Sequence, residues 1–238
     1  MIEDEIERAA LPSQIYRIGK KPDAWKRPLP TRGENRPTNR YDDPLGIYHV
    51  VYAASDAYGA CVEKFAALRH DLNPDLASID NNDGGLRSSS FAGLVPINWF
   101  QGFHLGSARL QGNFVDLRSP KTIAFLSRRM TEQFREWTRR YREWEEFDLS
   151  VLASPRREVT MEISRSIFEL ETREGSRYDG ICYPSRLGTH VTCWAIFDDT
   201  GEDEEGLPCV VDRKNQELDT NHSEVRRLLN DFGLTIGH

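Results

Sequence analysis

Residues 47–54 read IYHVVYAA, and SDAYGACVEKFAALR follows over residues 55–69. The first stretch is dominated by β-branched and aromatic residues with no turn former, which is the composition of a buried strand. Ser55 is a good N-cap, so a helix is predicted from there to about residue 69. The chain thus passes directly from strand into helix. On that helix Ala60, Glu63 and Ala67 fall at i, i+3 and i+7, which puts Glu63 on the face that carries small apolar residues. A carboxylate there needs a partner: either Lys64 or Arg69 on the helix surface, or a role in a site.

Upstream, residues 14–18 read as a brief strand. Residues 20–44 hold five prolines (Pro22, Pro28, Pro30, Pro37 and Pro44) and read as a loop. That loop carries Lys20, Lys21, Lys26, Arg27, Arg32, Arg36 and Arg40 against Asp23, Glu34, Asp42 and Asp43. It is either a candidate anion site or a solvated excursion.

Downstream, residues 73–93 have turn chemistry and no apolar period. Asp71, Asn73 and Asp75 mimic the opening of a calcium loop, but Leu76 stands where glycine is needed and Asn82 where glutamate is needed, so calcium binding is rejected. A short strand is expected at 113–117 and a long helix at 127–147. On that helix Met130, Phe134, Trp137, Tyr141 and Trp144 repeat at 4-3-4-3 spacing. The stripe reads as core; the alternative is a catalytically silent interaction module that docks a partner helix on these rings. Six arginines on the helix are interleaved with five glutamates, the pattern of a solvated face rather than of a nucleic-acid surface. A second helix is expected at 161–170 and strands at 180–183, 191–197 and 207–211, the last two joined by an acidic turn at 198–206. A tail helix at 223–231 ends before Gly233.

Composition narrows the class. The 238 residues carry 31 Lys plus Arg and 38 Asp plus Glu, a formal charge of −7, which argues against a nucleic-acid binder. A chain this long can bury roughly 70–75 % of its unfolded surface, enough for one large domain. No apolar run reaches membrane-spanning length and the N-terminus MIEDEIERAA is acidic, so the expectation is a cytoplasmic protein with no membrane partner. Cys61, Cys182, Cys193 and Cys209 form no C-x-x-C pair and read as reduced, buried small hydrophobes. The six histidines lack ligand spacing, so no metal is expected; His49, beside Tyr48 on the strand, reads as structural. Dinucleotide-fold, P-loop, zincin and hydrolase-elbow motifs are all absent.

Several weak motifs nevertheless occur in a definite order: Y-R at Tyr16 and Arg17, N-R-Y-D-D-P-L-G at 39–46, V-V-Y-A-A-S at 50–55, A-C-V-E at 60–63, V-T-M-E-I-S-R-S-I-F at 159–168, Y-D-G-I-C-Y-P-S-R-L-G at 178–188 and C-W-A-I-F at 193–197. This series resembles the RES domain, a family named for an arginine, a glutamate and a serine. Arg40, Tyr41, Gly46, Tyr52, Glu63 and Ser185 match its pattern. The long loop before Arg40, the 73–93 insertion and the acidic tail depart from it. The resemblance implies an α+β fold similar to ADP-ribosyltransferases, with a mixed β-sheet core, a central NAD cleft and flanking helices. It implies a lead at 1–14, the domain at 15–213 and a helical tail at 214–238 packed on it. It further implies a toxin that consumes NAD⁺ as substrate without a metal, passes ADP-ribose to water or to a protein target, and is neutralised by a cognate Xre-type antitoxin with a DNA-binding domain.

The residue chemistry fits that implication. Breaking the nicotinamide–ribose bond develops positive charge on the ribose, which a fixed carboxylate, Glu63, would face. Arg17 and Arg40 suit the pyrophosphate. Tyr41 and Tyr52 offer flat faces for nicotinamide or ribose, and Ser185 can bond the carboxamide or position Glu63.

Overall fold

The computed structural model describes residues 5–26, 39–65, 94–97, 99–172, 174–188, 190–200 and 207–237. The 73–93 insertion, residues 27–38 of the basic loop and 201–206 of the acidic turn lie outside them. The expected strand at 47–54 is β2 (His49–Ala54), and its side chains divide by parity. Val50 and Tyr52 pack on the helical side of the sheet, whereas Val51 and Ala53 join Trp25 and Cys209 on the other. On one flank β2 pairs antiparallel with β7 (Thr192–Asp198), in the register Tyr52 to Ala195 and Ala54 to Cys193. On the other it meets β1 (Ile15–Lys20), antiparallel, at Tyr16 and Ala54.

The sheet extends from there through β4 (Phe103–Leu110) and β8 (Val210–Glu217) beyond β1, and through β6 (Gly180–Pro184) and β5 (Phe114–Asp116) beyond β7. The order is β5-β6-β7-β2-β1-β4-β8, with β5 and β6 parallel and every other neighbouring pair antiparallel. A two-stranded parallel piece joins β3 (Leu94–Pro96) to β9 (Thr235–Gly237). The fold is α+β with a mixed seven-stranded sheet, the class expected from the sequence.

The helix after β2 is α1 (Ala57–Phe65). Its cap is Asp56, whose Oδ1 accepts from Gly59 N at 2.7 Å, and not Ser55. Ser55 instead continues the strand, donating its N–H to Thr192 O at 2.9 Å and accepting Trp194 Nε1–H at 2.9 Å. The chain closes on α1 through α6 (Ser223–Asp231): Val225, Leu228 and Leu229 pack with Tyr58, Val62 and Phe65, and Tyr58 OH donates to Asp231 at 2.6 Å.

The expected long helix is two. α2 (Pro120–Arg129) starts earlier than expected, with Pro120 in its first turn and Ser119 Oγ accepting from Lys121 N at 3.2 Å. α3 (Thr131–Tyr141) follows after Met130 leaves helical geometry at φ −107° and ψ 25°. At the break the Thr131 hydroxyl donates to the carbonyls of Ser127 and Arg128 at 3.0 and 2.9 Å, competing for groups a continuous helix would use. The stripe is core all the same: Met130, Trp137 and Trp144 are buried, and Phe134 and Tyr141 pack against the same cluster. α4 (Leu149–Leu152) and α5 (Arg157–Phe168) complete that layer.

All four cysteines are buried and unpaired. Burial pushes Cys61, Cys182 and Cys209 up to about 12 and Cys193 higher still. Thiolate, not thiol, is the reactive form. A disulfide-exchange reagent at pH 8 should therefore label none of them within minutes in the native protein and all four in denaturant; fast native labelling would contradict this burial.

Candidate active site

Glu63 lies on the last turn of α1, with its side chain exposed. Among the described residues its hydrogen-bond partner is Ser185, whose Oγ–H donates to Glu63 Oε1 from 122 residues away; Arg69, one of the expected partners, lies outside the described residues. Ser185 opens the turn that leaves β6, and three bonds fix it: its N–H donates to Val191 O at 2.9 Å, Leu187 N donates to its Oγ at 2.9 Å, and its Oγ–H donates to Glu63. The turn sits against α1 because residue 59 is glycine; a Cβ there would lie 2.7 Å from Val191 Cγ1. The buried thiol of Cys193, in the strand next to β6, feels the charge of Glu63. Burial first, then the negative charge of Glu63, keeps it protonated.

The second half of the site is the segment before β2. Tyr41 is wholly buried: its OH donates to Leu152 O at 2.8 Å, its carbonyl accepts from Ser164 Oγ at 2.7 Å, and its N–H donates to Tyr52 OH at 3.0 Å. Tyr52 OH in turn donates to Asp42 Oδ1 at 2.9 Å. These bonds hold Arg40 over two rings, 5.2 Å from the centroid of Tyr41 and 5.6 Å from that of Tyr183. Arg40 Nη2 reaches Tyr41 OH at 3.4 Å, while its Nε is buried with no hydrogen-bond partner, and Arg40 has no ion-pair partner among the described residues.

Tyr183 joins the halves. Burial raises its hydroxyl pKa well above the usual tyrosine range. Cys193, Glu63 and Tyr52 add to that shift, and Arg40 opposes it. Burial likewise pushes Tyr41 up to about 12 and Tyr52 further, so all three rings stay neutral at physiological pH. The structure thus brings Arg40, Tyr52, Glu63 and Ser185 into one neighbourhood.

Two expectations change. Tyr41 has no exposed face to offer a ligand and serves as the wall beneath Arg40. Arg17 alternates with Tyr16 and Ile18, which pack in the α1 cluster, so it projects with Ile15 to the other side of β1. Its Nε donates to Ala24 O at 2.7 Å and its Nη1 to Tyr52 O at 2.9 Å, tying the start of the basic loop to β2. Sequence reasoning missed Tyr183, Cys193 and Arg186. Parity from β6 and β7 could have flagged the first two. Arg186 was visible only as the residue after Ser185. No group of His, Cys, Asp and Glu among the described residues could hold a metal ion, and His49 lies half-buried at the start of β2 opposite Asp198.

Comparison with known proteins gives one family: the RES domain profile matches residues 14–220. A search of curated proteins gives no match. Among solved structures, the crystal structure of the M. tuberculosis MbcT–MbcA toxin–antitoxin complex is similar over 97 % of this chain and 93 % of that chain, at 13 % identity and a TM-score of 0.49. With the profile spanning both Glu63 and Ser185 and most of the chain between the two termini, this protein belongs to the RES domain family.

Proposed function

We propose that this chain is a RES-type toxin with an ADP-ribosyltransferase-like cleft, which cleaves NAD⁺ at the nicotinamide–ribose bond and passes ADP-ribose to water or to a protein target. A cognate Xre-type antitoxin is proposed to hold it inactive, on family membership alone. One observation carries the catalytic reading: Glu63 is oriented by Ser185 beside an arginine that lacks an anionic partner among the described residues.

The chemistry follows from that arrangement. As the C–N bond breaks, nicotinamide leaves with the bonding pair and the ribose gains oxocarbenium character. Glu63, aimed by Ser185, holds the ribose hydroxyls and faces the developing charge, an interaction stronger in the transition state than in the ground state. The acceptor oxygen then adds to the ribose and loses its proton. Arg40 binds the pyrophosphate as a planar donor fork. Arg17 contributes positive charge and positions β2, since its Nε and Nη1 already serve carbonyls. Tyr52 and Tyr183 are neutral hydroxyl-bearing rings suited to line the nicotinamide and ribose subsites.

Purified, antitoxin-free protein incubated with NAD⁺ should release nicotinamide over many turnovers. Arg40→Ala should raise KM about 10- to 100-fold with a smaller change in kcat, because a phosphate is bound equally in substrate and transition state. Absence of nicotinamide release by the wild type would overturn the reading. Mass spectrometry of a treated lysate separates transfer to protein from hydrolysis.

A further inference from the structure

We infer that Arg186 and Arg40 form a two-arginine clamp for a diphosphate group at the Glu63 site. Calling the ligand's remainder NAD⁺ rests on the reading above; the clamp itself rests on placement and charge. Arg186 follows Ser185 in a turn pinned to α1 through the Glu63 bond and closed by the Ser185–Val191 and Leu187–Ser185 bonds, so its backbone position is fixed relative to Glu63. Arg40 stacks on Tyr183 of β6, two residues upstream of Ser185.

Neither arginine has an ion-pair partner among the described residues, and Arg186 makes no hydrogen bond there either, in a chain with 38 acidic and only 31 basic side chains. Several other arginines are paired, Arg128 with Glu5, Arg135 with Glu132 and Arg165 with Glu169. Arg186 and Arg40 instead act on each other as like charges, with Glu63 the acid that offsets them.

Two guanidinium groups and one carboxylate leave a net charge of +1. A diphosphate brings −2, with acceptor oxygens on two phosphorus centres, so each guanidinium can take one phosphate bidentately. A single phosphate satisfies one jaw only.

The test is calorimetric titration of the full chain with ADP-ribose and ADP, and with AMP as the one-phosphate comparison. Arg186→Ala should weaken ADP-ribose and ADP about 10-fold and AMP much less. Arg186→Lys should recover part of the loss, and added salt should shrink the difference. Arg128→Ala, an equal change in net charge, should have no effect. Arg186→Gln gives a second neutral variant, with an unchanged Tm confirming the fold. Unchanged or tighter ADP-ribose binding in both neutral variants overturns the clamp and assigns Arg186 to masking Glu63; wild-type protein that binds neither ADP-ribose nor ADP at millimolar concentration overturns it too. If ADP-ribose binding depends on Arg186 while NAD⁺ is not cleaved, the clamp stands and the cleavage reading falls. If NAD⁺ is cleaved with an unchanged KM in Arg186→Ala, the reverse holds.

Discussion

Glu63→Gln should lower nicotinamide release by about 10²- to 10³-fold while NAD⁺ affinity changes little. The substitution keeps shape and leaves an oxygen for Ser185 Oγ–H, so the local geometry survives and only the negative charge is lost. A preorganised electrostatic group of this kind supplies about 3–4 kcal/mol to a transition state, and its effect falls on kcat rather than on ground-state binding. Because Glu63 is exposed, Tm should stay unchanged. Steady-state kinetics and titration with NAD⁺ check both halves. Near-normal turnover in the variant would return Glu63 to the helix surface.

For stability, the largest single loss is expected at Trp194, which is 1 % exposed at the centre of the sheet. It stands in β7 between Cys182 of β6 and Ala53 of β2 and meets the ring of Phe114 edge-on at 5.5 Å. Its Nε1–H is bonded to Ser55. Trp194→Ala removes that packing and leaves a cavity that a sheet flanked by strands on both sides cannot close, a cost of about 3–5 kcal/mol. At about 2–4 °C per kcal/mol for a chain of this size, the melting temperature should fall by roughly 6–20 °C. A thermal melt showing a loss under about 1 kcal/mol would contradict the packing described.

The sequence revealed elements whose polarity pattern is set locally. β2, β7, α1, α5 and α6 are apolar on the faces they bury, so period and caps find them. β4 escaped notice because its alternation breaks phase: the pairing register shifts between Ser107 and Arg109, so Leu105 is buried before the shift, and Ala108 and Leu110 after it. β8 was caught only at its apolar start, where the expected strand at 207–211 overlaps it at Val210 and Val211; the remainder is an edge strand with Arg213, Lys214, Asn215, Gln216 and Glu217 exposed, which carries no apolar signal. The helix at 127–147 misled because the break at Met130 leaves the apolar stripe intact. As for the site, Glu63 and Ser185 are 122 residues apart, and nothing in either segment alone says they meet. Only the ordered series of motifs linked them. Arg17 shows the opposite case, a motif residue whose donors the fold employs on carbonyls.

The insertion of β7 between β2 and β6 sets when, during synthesis, the site can exist at all. Glu63 leaves the ribosome well before the strand that flanks β2 and the turn that presents Ser185. At about 5–20 residues per second, the 122 residues between them take roughly 6–24 s to translate. Throughout that interval the nascent chain carries its carboxylate with no serine to orient it and no Tyr183 on which Arg40 can rest. A product terminated anywhere before β6 thus lacks the Glu63–Ser185 pair altogether.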